Sequence, residues 1–136
     1  MSHPRTPVRH AVIAALSAVP GLDVRSGRSV LAAMPKGRDD VVAVANAAEQ
    51  SGPAPRCGTR RRLLTLELVG LVRTRDGQDV DDDLDALTDK MEAALDADPT
   101  LGGLVVHLDL ARTDFDAAPT DGAAAVAVQT WSMRIV

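Results

Sequence analysis

The stretch Arg60–Arg73 constrains the fold more than any other part of the chain. Leu64, Leu66, Leu68 and Val72 alternate with Thr65, Glu67, Val69, Leu71 and Arg73, which is the period of a strand. Apolar residues fall on both of its faces, so both faces need a cover. Two amphipathic segments are available to pack on the sheet. With Thr6 as N-cap and Pro7 at the first helical position, the spacing of Val8, Ala11, Val12, Ala15, Leu16 and Val19 predicts a helix that Pro20 and Gly21 end. Asp79 caps a second helix reaching about Ala97, with an apolar stripe of Val80, Leu84, Leu87, Met91, Ala94 and Leu95, and Asp98 and Pro99 stop it.

The remaining extended segments are shorter. Leu22–Arg25, Val30–Met34 and Val41–Val44 read as brief strands, and Asn46–Thr59, without periodicity, reads as a long exposed loop. Asp76 and Gly77 form a turn. Gly102 and Gly103 turn the chain into a strand over Leu104–Thr113, a polar loop follows over Thr113–Gly122, and Ala124–Val136 closes as a strand containing Trp131. This order, without an internal repeat, predicts an α+β fold: a mostly antiparallel sheet of four to five strands with two helices packed on one face. The length of 136 residues suits a single domain over 1–136. Phe115 and Trp131 are the only aromatic residues. The core is therefore built from smaller aliphatic side chains, and self-association is expected to contribute to stability.

Charge is polarised along the chain. Residues 1–75 carry 12 basic and 5 acidic side chains, and residues 76–136 carry 3 and 14, for a net charge of -4. Unlike halves of this kind can pair within the fold or between copies. The acidic total argues against a dedicated nucleic-acid binder, and Arg60, Arg61 and Arg62, with no aromatic beside them, read better as a solvated cluster at the strand's entry or a subunit contact than as a nucleic-acid-binding patch. No apolar run is long enough to cross a membrane as a helix. Residues 5–19 have the length of a signal-peptide core, but their helical periodicity favours a folded amphipathic helix. The lone Cys57 has no partner for an intramolecular disulfide, which leaves cytoplasmic synthesis as the expectation.

Catalytic signatures are missing from the sequence. His3, His10, His107 and Cys57 are far apart, the acidic run Asp76–Asp85 lacks the spacing of a calcium loop, and no phosphate-binding loop is present. No cofactor, metal or enzymatic activity is expected. The region of His107, Asp109 and Glu67 is the one place where a ligand site or a small α+β enzyme's active site would be sought. The second helix carries a different signal. Asp82, Asp85, Asp89, Glu92 and Asp96 line its polar face, and like-charge pairs at this spacing each cost about 0.2–0.5 kcal/mol. Either the face is merely solvated, or its sign serves a basic partner or repels a polyanion. Ile13, off the first helix's main stripe, and Phe115, in the expected loop, complete the candidate interface residues with Arg60, Arg61, Arg62, Asp82, Asp85 and Asp89.

Several patterns, taken in order, resemble the tail terminator proteins of long-tailed bacteriophages, the minor tail protein U family. They are the opening Pro7-Val8-Arg9-His10-Ala11-Val12-Ile13-Ala14-Ala15-Leu16 with Pro20-Gly21-Leu22, and the long strand ending at Arg73. Leu84-Asp85-Ala86-Leu87 and Met91-Glu92-Ala93-Ala94-Leu95 then lead into Asp98-Pro99-Thr100-Leu101-Gly102-Gly103 and a hairpin closing on Trp131-Ser132-Met133-Arg134. The resemblance covers nearly the whole chain and is weakest over Val30–Thr59. It implies a non-enzymatic virion protein, assembled in the host cytoplasm, that forms a homo-oligomeric ring, typically a hexamer, on the head-proximal end of a tail tube. Its implied partners are further copies of itself, the tail tube protein and a head-completion or connector protein, with DNA passing through the ring without sequence-specific binding and no membrane involved. A connector or head-completion protein of the same virion is the nearest alternative.

Overall fold

The computed structural model describes residues 3–27, 40–53, 60–73, 79–117 and 124–136. The elements run α1 (Arg5–Ser17), β1 (Asp23–Ser26), β2 (Asp40–Pro53), β3 (Arg60–Arg73), α2 (Val80–Asp96), β4 (Val105–Ala117) and β5 (Ala124–Ile135). The strands form one five-stranded sheet in the order β1-β2-β3-β5-β4. β1 is parallel to β2, and every other neighbouring pair is antiparallel. α1 lies against β1 and β2, α2 against β3 and β5, and the helices touch each other, so the expected α+β architecture with both helices on one face is what the chain adopts.

β3 organises the interior as its alternation requires. Leu64, Leu66, Leu68 and Val72 face the helices and join Val8, Val12 and Leu16 of α1, Leu84, Leu87, Met91 and Leu95 of α2, and Trp131 and Met133 of β5 in one buried cluster. Each fully buried side chain of this size contributes about 1.5–3 kcal/mol. On the opposite face Val41 and Leu71 form a second, smaller cluster with Val126 against it. Gly70 sits on the helix side of β3, where an added Cβ would lie 2.9 Å from Leu87 Cδ2 and 3.2 Å from Met91 Sδ. The missing side chain lets α2 approach the sheet. Gly70→Val is accordingly expected to destabilise the fold by about 1–3 kcal/mol through overpacking, read as a lower urea midpoint at unchanged m-value.

A buried polar bridge ties the same two layers. Trp131 Nε1 donates to Gln129 Oε1 at 3.0 Å, and Gln129 Nε2 approaches the Thr88 carbonyl of α2 at 3.5 Å. Gln129 is wholly buried, so these contacts offset the desolvation of its amide. After α2 the chain reverses through Leu101, Gly102 and Gly103, all with positive φ (50°, 68° and 92°). The two glycines adopt this conformation freely, as the tight-turn expectation requires, while Leu101 is held in it by insertion of its side chain into the main cluster.

Several local expectations are corrected. α1 begins at Arg5 with Pro4 at the N-cap position, not at Thr6, because Pro4 already has helical dihedrals and the Thr6 amide donates to the His3 carbonyl at 2.9 Å. Asn46–Pro53 is not loop but the second half of β2, paired rung by rung with Arg60–Leu66 around a bulge between Asn46 and Ala48. Small and polar residues carry no period of their own there, and β3 supplies the ladder that holds them extended. Thr113–Ala117 likewise continues β4 against Ala125–Gln129, so Phe115 is a strand residue. The expected strand Val30–Met34, the turn at Asp76 and Gly77, Cys57, and the remainder of both expected loops lie outside the described residues.

Candidate functional site

α2 turns its acidic residues outward because its buried stripe is fully committed. Leu84, Leu87, Thr88, Met91 and Leu95 face the sheet, which leaves Asp82, Asp85, Asp89 and Asp96 exposed and Glu92 half-buried along the opposite side. Asp79 caps the helix by accepting from the Asp81 amide at 3.0 Å, and Asp81, Asp82 and Asp83 in the first turn complement the helix dipole. Those positions have a local explanation. Asp85, Asp89 and Asp96 have none, lying beyond the first turn. The helix's single cation, Lys90, turns to Asp40 of β2 at 3.8 Å. None of Asp82, Asp85 and Asp89 makes an ion pair among the described residues, so the ridge stays uncompensated.

The arginine cluster does not form one patch. On a strand, successive side chains point to opposite faces. Arg62 faces the helix side, where its Nη1 meets Glu49 Oε2 at 3.1 Å, while Arg61 is exposed on the other face, and the side chain of Arg60 lies outside the described residues. Glu49 is the hub that sequence reasoning missed, having been assigned to a loop. Its register places it diagonally opposite Arg62, and Arg5 Nη1 reaches the same carboxylate oxygen at 3.4 Å. His3 completes the group, its Nε2 lying 2.9 Å from Arg5 Nη1 and 3.1 Å from Arg62 Nη1. Partial desolvation, and then the two guanidinium groups, hold the His3 ring pKa below its ordinary value of 6.5, with Glu49 opposing them.

This has a pH consequence. A ring that protonates less readily when folded than when unfolded lets acid favour the unfolded chain, so stability is lost as pH falls from about 6.5 toward the lower folded value. Thermal melts between pH 7.5 and pH 5 should show a fall in Tm that is shallower for His3→Gln than for the wild type. Equal slopes would remove His3 from the account.

His107 and Asp109 pair at 3.2 Å between Nδ1 and Oδ1, and both are mostly exposed. They border a shallow cleft of about 260 Å³ with Leu63, Val106, Ser132 and Arg134. Glu67 is not in it. It pairs with Thr130, and thence with Arg112, on rungs beyond the cleft, so the three residues singled out together are not gathered. Among the described residues no three His, Cys, Asp or Glu side chains converge as metal ligands. Ile13, which its position off the first helix's main stripe offered as an interface residue, is half-buried against the main cluster. Phe115 is 58% exposed on β4, level with Ala127.

No family model matches the chain, and no curated protein matches it. Among solved structures it is similar to a chain of the native gene transfer agent virion, at 12% identity and a TM-score of 0.44, over 97% of this chain and 90% of that one. It is similar also to a chain from the cryo-EM structure of the sheath/tube terminator, in its extended state, of the PVC extracellular contractile injection system. That likeness has 12% identity and a TM-score of 0.44, and covers 96% of this chain; the chain spans 56% of the other's length.

Proposed function

We propose that this chain is a non-enzymatic structural protein of a tailed virion, a tail terminator that closes as a ring of six copies on the head-proximal end of the tail tube. It stops tube polymerisation, presents the surface that a head-completion or connector protein engages, and lets DNA pass through its centre. The observation that carries the reading is the acidic ridge of α2. Asp82, Asp85, Asp89 and Asp96 are exposed side by side, at a cost in mutual repulsion that helix capping repays only at the first turn. Such a surface suits a lumen wall, where like charge lets a polyanion slide without binding. The order of elements, and the sequence patterns shared with the terminator family, support the same reading.

The test is tube length. Tail tube protein of the same virion polymerised alone, and with this protein at increasing ratio, is imaged by electron microscopy while light scattering gives the mass of any ring. Tubes capped at one end and shortened in proportion to the added protein are the expected result. Tubes of unchanged length, from a protein that stays monomeric alone and with tube protein, would overturn the proposal.

A further inference from the structure

Among the described residues β1 and β4 are the outer strands of the sheet. Its register can be followed straight across. Asp23, Val24, Arg25 and Ser26 of β1 stand beside Val41, Val42, Ala43 and Val44. These pair in turn with Leu71, Gly70, Val69 and Leu68, those with Val126, Ala127, Val128 and Gln129, and those with Asp116, Phe115, Asp114 and Thr113. The four residues of one edge thus occupy the same rungs as four residues of the other. β1 runs in the direction of β2 and β5, opposite to β4. A neighbouring copy whose β4 extends the sheet beyond β1 therefore pairs with it antiparallel and on the same rungs, with no slide along the strands. Equal height is the condition for a contact between unlike surfaces to close into a ring instead of climbing into a filament.

The side chains on these rungs suit each other. Partners on a rung share a sheet face, so Phe115 comes opposite Val24 on the helix side and Asp114 opposite Arg25 on the other. Phe115 is 58% exposed on an edge strand, the reverse of how a monomer guards an open edge. Arg25 and Asp114 are each held within their own strand, by Asp23 at 3.0 Å and by Arg112 at 2.8 Å, and so are already oriented. Asp23 faces Asp116 across the outermost rung, with Arg25 adjacent to both. The N-terminal end of β4 is engaged by the preceding turn, Leu108 N donating to the Pro99 carbonyl at 2.8 Å and Val105 N to that of Thr100 at 3.1 Å. Among the described residues the Thr113–Asp116 backbone has no strand on its outer side.

We infer that β4 of one copy pairs antiparallel with β1 of the next, Phe115 packing on Val24 and Asp114 meeting Arg25, so that the sheet continues from subunit to subunit. This rests on the ring reading above and assigns its joint. The test places cysteines at both positions, Val24→Cys with Phe115→Cys in a Cys57→Ser background, because directly opposed strand positions suit a disulfide. Mild oxidation of the full chain, with tube protein present, should give a non-reducing ladder ending at the mass of the ring. Phe115→Asp should weaken assembly by about tenfold or more, as loss of an aromatic anchor does. It should leave the Trp131 fluorescence of the subunit unchanged. Arg25→Glu should impair assembly and Asp114→Arg should restore it. Rings that form without cross-links and tolerate Phe115→Asp would overturn this joint while leaving the ring reading intact. A wild-type protein that forms no ring, alone or with tube protein, removes both.

Discussion

Trp131→Ala is expected to lower the unfolding free energy by about 3–5 kcal/mol, a large share of the 5–15 kcal/mol typical of a domain. The indole is the largest fully buried side chain, placed where β5, β3 and α2 meet. Its removal leaves a cavity that the surrounding leucines fill only in part. It also strands Gln129, whose Oε1 accepts from the indole at 3.0 Å and whose Nε2 reaches the Thr88 carbonyl. The two effects can be separated. Trp131→Phe keeps most of the packing and loses the donor, so it should cost about 1–3 kcal/mol, the penalty of a buried acceptor left unpaired. Urea titrations at protein concentrations below the onset of association, followed by far-UV circular dichroism, measure both. If Trp131→Phe matches the wild type, the bridge is incidental and packing alone holds α2 to the sheet.

The second large effect concerns the ridge. Reversing Asp85 and Asp89 to lysine places two cations per copy on the exposed side of α2; it exchanges one like-charge pair for another, but sets the new cations beside Asp81, Asp82 and Glu92 at helical spacing and replaces two poor helix formers by better ones, so the helix is expected to hold its stability. If the ridge lines the lumen of a ring, the doubly reversed protein should still assemble and should now retain double-stranded DNA. Binding carried by phosphate contacts of this number should fall by about a thousandfold or more between 50 and 200 mM salt. Retention on a labelled duplex, measured across that salt range for wild type and variant, is the readout. Rings that assemble normally and bind no DNA would make the ridge an ordinary solvated face. Loss of rings, rescued by Arg61→Glu with Arg62→Glu, would return it to a subunit joint. That last outcome is disfavoured by geometry, because Arg61 and Arg62 point to opposite faces of β3 and Arg62 is already engaged by Glu49.

Much of the fold was legible because its signals are local. A helix announces itself by a 3.6-residue period and a strand between two covered layers by its alternation, and α1, α2 and β3 carry these patterns in their own side chains. The acidic ridge follows from the same period, since fixing Leu84, Leu87 and Met91 inward fixes Asp82, Asp85 and Asp89 outward. The splitting of the arginine cluster was equally available, as three consecutive residues of a strand cannot share a face. Other features depend on partners distant in sequence. Asn46–Pro53 has no pattern to betray a strand and is extended because Arg60–Leu66 offers it a ladder. Glu49 becomes a charge hub through Arg5 and Arg62, 44 and 13 residues away. Gln129 is buried because α2 supplies the carbonyl that its amide meets. The levelling of β1 with β4 is a sum of four registers, each set by contacts that no stretch of sequence contains. Periodicity therefore determined which faces of this chain are buried, while pairing between remote segments decided which strands lie side by side and which charges stand together.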